Sequence, residues 1–341
     1  MMRAKVLFVT SSVGLGHVTR DYRLSREIRS WADITWLTAG AAARYLEMRG
    51  ERLHELSKEM TSIGDSLMHV IRGCRVRVGP LSAYRVYRDL RRNAKILREH
   101  LDVESFDLLV GDEPWELMIS GVIGYRSALI TDFESFRASG LISRVVAERV
   151  NSWLESSFSR FGARFDVGLW GTPGPLFKRP GNLFTHDGTY GEDREENLVV
   201  INLGGTDAAV HVADGLATAL EKAGYQVSVI GSSSRLVPDP TGEIARARVL
   251  VTLAGYGSLV EAAAMRKRAV ILRIDGHFEH EENARAFEGR KGYRILRCSQ
   301  ATPDSVLEAV KGVINETPDP PPVRDAAKEI GEGLRSLVEK P

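Results

Sequence analysis

The sequence predicts an α/β fold of two Rossmann-like α/β/α domains, each a sheet between helical layers, facing each other across a cleft. Three observations carry that expectation. Short apolar runs of strand length alternate with helix-length stretches along both halves. Such runs end in glycine pairs that open a helix: Gly14 and Gly16, Gly204 and Gly205, Gly255 and Gly257. At 341 residues the chain is long for one core and natural for two.

The first strand is expected over residues 5–10, with a helix to about residue 31 and a second strand over 33–37. A dinucleotide fingerprint would need a third glycine and an acidic residue ending the second strand. Thr19 and Thr38 stand in those places, so NAD is disfavoured. The turn instead puts His17 at the mouth of the sheet, where an imidazole suits general-base work on a hydroxyl or water. A strand over 106–112 delivers Asp112 and Glu113 to the same edge, able to orient His17 or hold an acceptor hydroxyl. A further strand ends at Asp132, for which helix capping is expected. A helix over 140–161 closes the first domain (1–170), and the breaker-rich residues 171–181 pass to the second (171–322).

In the second half a strand over 198–203 runs into Gly204-Gly205-Thr206, with Thr206 as cap of a helix over 208–223. The next strand, 226–230, ends in Gly231 and Ser232. The central stretch begins with a strand over 249–253, broken at Gly255 and Gly257. Ser258 is expected to cap a helix from about residue 259, leaving free N–H groups as an anion site. Glu261, one turn in, has a carboxylate able to accept two ribose hydroxyls. A strand over 269–274 then delivers the polar stretch Asp275 to Asn283, including His277, Phe278, Glu279 and His280. A strand (293–297), a helix (303–315) and a last helix (323–338) complete the chain.

Hydrophobic residues make up 43% and charged residues 27% of the chain, with net charge +1. Bulk attraction to nucleic acid is therefore not implied. Residues 1–100 nonetheless carry 19 Lys and Arg against 10 Asp and Glu. Much of that surplus lies in 71–98, where Leu81, Tyr84, Tyr87, Leu90, Ala94 and Leu97 recur at helical spacing. One stripe of this kind is what any core-facing helix needs; the sharper alternative is a surface for an anionic membrane or lipid phosphate. Cys74 and Cys298 form no CxxC pair and have no metal-ligand spacing, which fits a reducing cytosol and says little else. The opening residues run straight into a strand, and no apolar run reaches the roughly 18 residues that span a bilayer. The expectation is a cytoplasmic protein, at most peripheral to a membrane.

The pattern Gly255-x-Gly257-Ser258-x-x-Glu261, followed after a strand by Phe278-Glu279-His280-x-x-Asn283-Ala284, resembles the donor half of GT-B glycosyltransferases. The nearest likeness is to family 28, the peptidoglycan N-acetylglucosaminyltransferase group, and its archaeal-type cousins. That resemblance implies that Glu261 holds the ribose of a UDP-sugar, and that Glu279, His280, Asn283 and Ala284 reach the donor sugar. His280 stands where the family usually has Gln. It further implies that Gly14-x-Gly16-His17-x-x-Arg20 faces the acceptor and the donor diphosphate, and that the last helix (323–341) returns to the first domain. Gly204-Gly205-Thr206-Asp207 instead resembles the UDP-sugar hydrolase of pseudaminic acid synthesis, where the matching histidine serves an attacking water.

The expected function is inverting transfer of a hexose or N-acetylhexosamine from UDP to an acceptor glycan or lipid-linked sugar. His17 would be the base, helped by Asp112 or Glu113. The alternatives are a nucleotide-sugar hydrolase and a catalytically silent nucleotide-sugar binder or epimerase. With no D-x-D pair in the chain, no metal is expected, and no cofactor beyond the UDP-sugar co-substrate.

Overall fold

The computed structural model describes residues 3–136, 141–169, 171–185, 197–207, 209–232, 234–237 and 239–339. The first half runs β1 (Ala4–Thr10), α1 (Gly16–Ile28), β2 (Ala32–Leu37), α2 (Gly40–Met48) and α3 (Ile63–Met68). A small hairpin of β3 (Ile71–Arg72) and β4 (Arg75–Val76) precedes the long α4 (Pro80–His100). Then come β5 (Leu108–Asp112), α5 (Trp115–Ser120), β6 (Ser127–Thr131), α6 (Leu141–Phe158) and β7 (Ala163–Asp166). The second half runs β8 (Leu198–Asn202), α7 (Val210–Lys222), β9 (Gln226–Ile230), α8 (Pro240–Arg246), β10 (Val249–Leu253) and α9 (Tyr256–Ala264). It ends with β11 (Arg268–Arg273), α10 (Phe278–Arg285), β12 (Tyr293–Arg297), α11 (Pro303–Val313) and α12 (Ala327–Glu339).

Each half builds one five-stranded parallel sheet, in the orders β2-β1-β5-β6-β7 and β12-β11-β10-β8-β9. Taken in chain order within its half, each sheet has the same 2-1-3-4-5 winding. The order therefore reverses at β1/β5 in the first and at β8/β10 in the second, and such reversals open a crevice at the strands' carboxyl ends. All three glycine turns follow strands at these two points. Strands β5, β8 and β10 are buried throughout and β1 over its last five residues, as apolar parallel strands covered on both faces should be.

The halves share part of a core. Tyr256 and Val260 of α9 lie in the first half's cluster, together with Ile330 and Leu334 of α12. Helix α12 returns against α1, where a Cβ on Gly331 would meet the side chains of Glu27 and Ile28 at 3.3 Å. Arg23 of α1 also pairs with Asp325 at 2.6 Å.

Several local expectations are corrected. Strand β7 and the β3–β4 hairpin were not anticipated from sequence. Helix α9 starts three residues early: Gly255 is its N-cap, without a side-chain cap, and Ser258 Oγ instead accepts from Asn202 Nδ2 at 3.0 Å. Helix α7 starts after Ala209, so Thr206 is not its cap; its hydroxyl faces the carbonyl of Leu203 at 3.4 Å. Residues 137–140, at the expected start of α6, lie outside the described residues. In α4 only the lower part of the stripe is core, with Ala94 and Leu97 buried. Leu81, Tyr84 and Tyr87 are 64%, 60% and 58% exposed, so the amino-terminal half of this helix turns apolar and cationic side chains together to solvent. Finally, Cys74 and Cys298, whose spacing fitted a reducing cytosol, are joined in a disulfide.

Candidate active site

The three glycine turns converge. The N–H of Leu15 donates to the carbonyl of Gly204 at 3.1 Å, and a Cβ on Gly14 would meet that same oxygen at 3.1 Å. Gly14 (φ +66°) and Gly205 (φ +86°) occupy the left-handed region, and any Cβ on Gly205 would collide with Leu15 at 2.3 Å. A Cβ on Gly257 would meet Gly16 Cα at 3.2 Å. Glycine is needed here because two lobes touch backbone to backbone. Gly231 belongs to the same cluster: its carbonyl accepts from the N–H of Gly205 at 2.5 Å, and buried Ser232 follows it.

His17 sits in the first turn of α1 and is 8% exposed. Its Nδ1 is 3.0 Å from Asp112 Oδ1 and 3.1 Å from an Nη of Arg20, and its Nε2 is 3.8 Å from Glu113. An arginine can only donate, so one neutral tautomer cannot satisfy both Nδ1 neighbours. Asp112 resolves the choice. Burial would raise its pKa, yet the guanidinium of Arg20 and His17 hold it down at about 2, so it is an anion that accepts the Nδ1 proton. Nε2 is then left as the basic nitrogen.

Arg20 was expected to reach substrate; the structure instead makes it a buried hub, 2% exposed. It grips both oxygens of Asp112 at 2.6 and 2.5 Å, pairs with Asp132 at 3.1 Å and lies 3.6 Å from Glu113. Asp132, expected to cap a helix, is thus a partner of Arg20. From the other half, the ring of Tyr256 lies under the guanidinium at 4.8 Å, and its hydroxyl accepts from the N–H of Leu183 at 3.1 Å. Burial, then neighbouring Asp132, pushes Glu113 well above the usual carboxylate range. His17, Asp112 and Glu113 bring three ligand-type atoms within 4.8 Å of one another, although Arg20 already occupies Asp112.

On the opposite side, Glu279 Oε1 accepts from the N–H of Tyr256 at 3.2 Å and from Asn283 Nδ2 at 3.4 Å. Burial and Asp132 raise its pKa to about 7. His280 is buried, its Nδ1 taken by the N–H of Ile274 at 3.2 Å, and burial lowers its pKa well below the imidazole range. The His277 ring lies 4.3 Å from that of His280; burial lowers its pKa to about 4, and its Nδ1 has no hydrogen-bond partner among the described residues. Phe278 does not stand open for a ligand, but packs across the cleft on Phe133 and Phe136 with ring centroids 5.0 and 4.7 Å apart. Glu261 is also engaged: one carboxylate oxygen accepts from both the N–H and the hydroxyl of Thr185.

Sequence reasoning missed Asp132, Tyr256 and Thr185 as parts of the site. Tyr256 had one usable signal, its place between two glycines that must admit a neighbouring backbone. Thr185 had none.

No protein-family model and no curated protein matches the chain. Many solved structures do, over nearly its full length. A glycosyltransferase of Streptomyces sp. SF2575, SsfS6, also solved with thymidine diphosphate, superposes with TM-score 0.58 at 12% identity, covering 98% of this chain and 96% of that one. The kitacinnamycin glycosyltransferase gives 0.56 at 14%, covering 99% and 95%. The Acinetobacter baumannii MurG gives 0.49 at 12%, covering 98% and 99%, too low to separate that branch from the others. At such identities the likeness defines the architecture: two facing α/β domains of the GT-B fold.

Proposed function

We propose that the protein is a glycosyltransferase that moves a hexose or N-acetylhexosamine from a nucleoside diphosphate, UDP foremost, to an acceptor hydroxyl with inversion. One observation carries the proposal: an imidazole oriented by an ionised carboxylate lies where the glycine turns of both lobes meet, in a fold shared with glycosyltransferases that include a thymidine diphosphate complex.

In the proposed step, His17 Nε2 takes the acceptor proton as the acceptor oxygen attacks the anomeric carbon. The bond from that carbon to the diphosphate breaks, and its electron pair leaves with the diphosphate. The amino-terminal end of α9 then faces the growing charge with first-turn N–H groups and the positive end of a helix dipole, while the Gly204–Gly205 turn, whose own N–H groups are held by Asn202 and Gly231, lets the backbone come close. Glu261 takes the ribose once Thr185 is displaced, and Glu279 with Asn283 takes the donor sugar. We propose the acceptor for the first lobe beside Glu113, and turnover without a metal. The exposed cationic and apolar start of α4 is the proposed contact for an anionic membrane surface.

The test is UDP-sugar turnover against acceptor extracts in the presence of a chelator. His17→Ala should lose about 100-fold or more in kcat while still binding UDP. Free sugar released stoichiometrically without acceptor would transfer the assignment to a hydrolase, and turnover that His17→Ala leaves intact would remove the base.

A further inference from the structure

Cys74 stands at the tip of the β3–β4 hairpin, a two-residue turn in which Gly73 (φ +54°) and Cys74 (φ +58°) are both left-handed. Its sulfur is bonded to Cys298, directly after β12 of the other half and 224 positions along the chain. Both cysteines are 1% exposed, inside the second sheet's core, where Met68, Ile71 and Val76 also pack. A piece of the first half is thus embedded in the second.

The bond sits within a denser attachment that centres on Asp275. The N–H of Asp275 donates to the carbonyl of Cys74 at 3.0 Å, and the N–H of Val76 donates back to the carbonyl of Asp275 at 2.9 Å. The Asp275 carboxylate lies 3.5 Å from Arg75 and accepts from the hydroxyl of Ser299, the residue after Cys298, at 2.6 Å. Asp275 starts the turn that leads into α10, two residues before His277 and four before Glu279. The backbone hydrogen bonds of the hairpin tip to Asp275 therefore bear on the segment that leads to Glu279 and His280.

We propose that the Cys74–Cys298 pair is a redox-reversible positioning element: it holds the 275–277 turn, and with it the start of α10, in the geometry that grips the donor. The donor part rests on the function proposed above; the mechanical part does not. As the hairpin tip lifts from the core and exposes the bond, a dithiol reductant attacks one sulfur to form a mixed disulfide, and its second thiol resolves that bond. Two electrons and two protons pass to the cysteines, which become thiols, while the reductant leaves as a cyclic disulfide. The hydrogen bonds that the tip makes fall on the 275–277 turn, whereas His17 is held by Asp112 from the first sheet, so reduction loosens donor grip and spares the chemical step.

The experiment compares oxidised, dithiothreitol-reduced and reoxidised protein, with Cys298→Ser as a redox-blind control. Free thiols are counted in denaturant, hydrogen exchange is followed by peptide, and UDP-sugar KM and kcat are measured. The proposal expects no free thiol in the oxidised protein and faster exchange confined to residues 68–77 and 274–283 on reduction. It expects a donor KM raised about fivefold or more with kcat changed less than about twofold, restored by reoxidation and matched by Cys298→Ser. Two free thiols in air-oxidised protein overturn it. So does reduction that lowers thermal stability while exchange at 274–283 and KM stay put, the signature of a staple and nothing more. If exchange responds as stated but no UDP-sugar binds in any form, the clamp stands and the proposed function falls.

Discussion

Arg20 ties the candidate site together, and its partners show what a linear reading of the chain can and cannot reach. His17, Asp112 and Glu113 were legible because each ends a strand or opens a helix at one sheet edge, an inference from topology alone. Asp132 and Tyr256 were not, since a buried guanidinium recruits charge and ring faces from wherever the fold brings them. Thr185 makes the point more sharply. Its N–H and hydroxyl already supply one Glu261 oxygen with the two donors a ribose would offer. On the proposed assignment of Glu261 to the ribose, a nucleotide must displace them, which taxes its apparent affinity. Thr185→Val should therefore tighten UDP binding by roughly 3- to 10-fold in a calorimetric titration; weaker binding would make Thr185 a partner of the nucleotide instead. Glu279 supplies a pH test. Its folded pKa of about 7 lies above the ordinary value of 4.5, so its neutral carboxyl stabilises the fold fully at acid pH and progressively less as pH rises through 7. Glu279→Gln should flatten the stability profile between about pH 4.5 and 7 by an amount of order 1–2 kcal/mol in urea unfolding. A profile unchanged by the substitution would remove the assigned shift.

Among the elements, the buried parallel strands were the most readable, because short, mostly apolar runs that end in glycine turns or carboxylates leave few alternatives. Helix starts were less so. The turns at Gly204 and Gly255 take their geometry from a neighbouring lobe, and the expected caps Thr206 and Ser258 serve other partners. Helix α4 divides in two. Its stripe has helical period throughout, and period alone does not say how much of a stripe finds a core. Leu97→Ala should cost about 2–5 kcal/mol in denaturant unfolding, whereas Tyr84→Ala and Tyr87→Ala should stay within about 0.5 kcal/mol. Comparable losses at all three would mean that the exposed half is covered in solution.

For the whole molecule, sequence supported two α/β halves well and their joining poorly. The 2-1-3-4-5 winding of both sheets places all glycine turns at the crevices, which explains how motifs far apart in the chain meet. The link from Cys74 to Cys298 spans 224 positions, and no local pattern announces it. Nor does one announce the entry of Val260 into the first half's core, although Tyr256 beside it lies between two glycines that admit a neighbouring backbone. Because Gly16 and Gly257 lie so close, the proposed function requires the lobes to part before a diphosphate can enter between them. Everything functional here depends on that crevice taking a nucleoside diphosphate. Calorimetric titration of the parent and Glu261→Gln with UDP tests it most directly. The account predicts one site per chain, weakened about tenfold or more by the substitution; equal affinity in both proteins, or no binding by the parent, would contradict it.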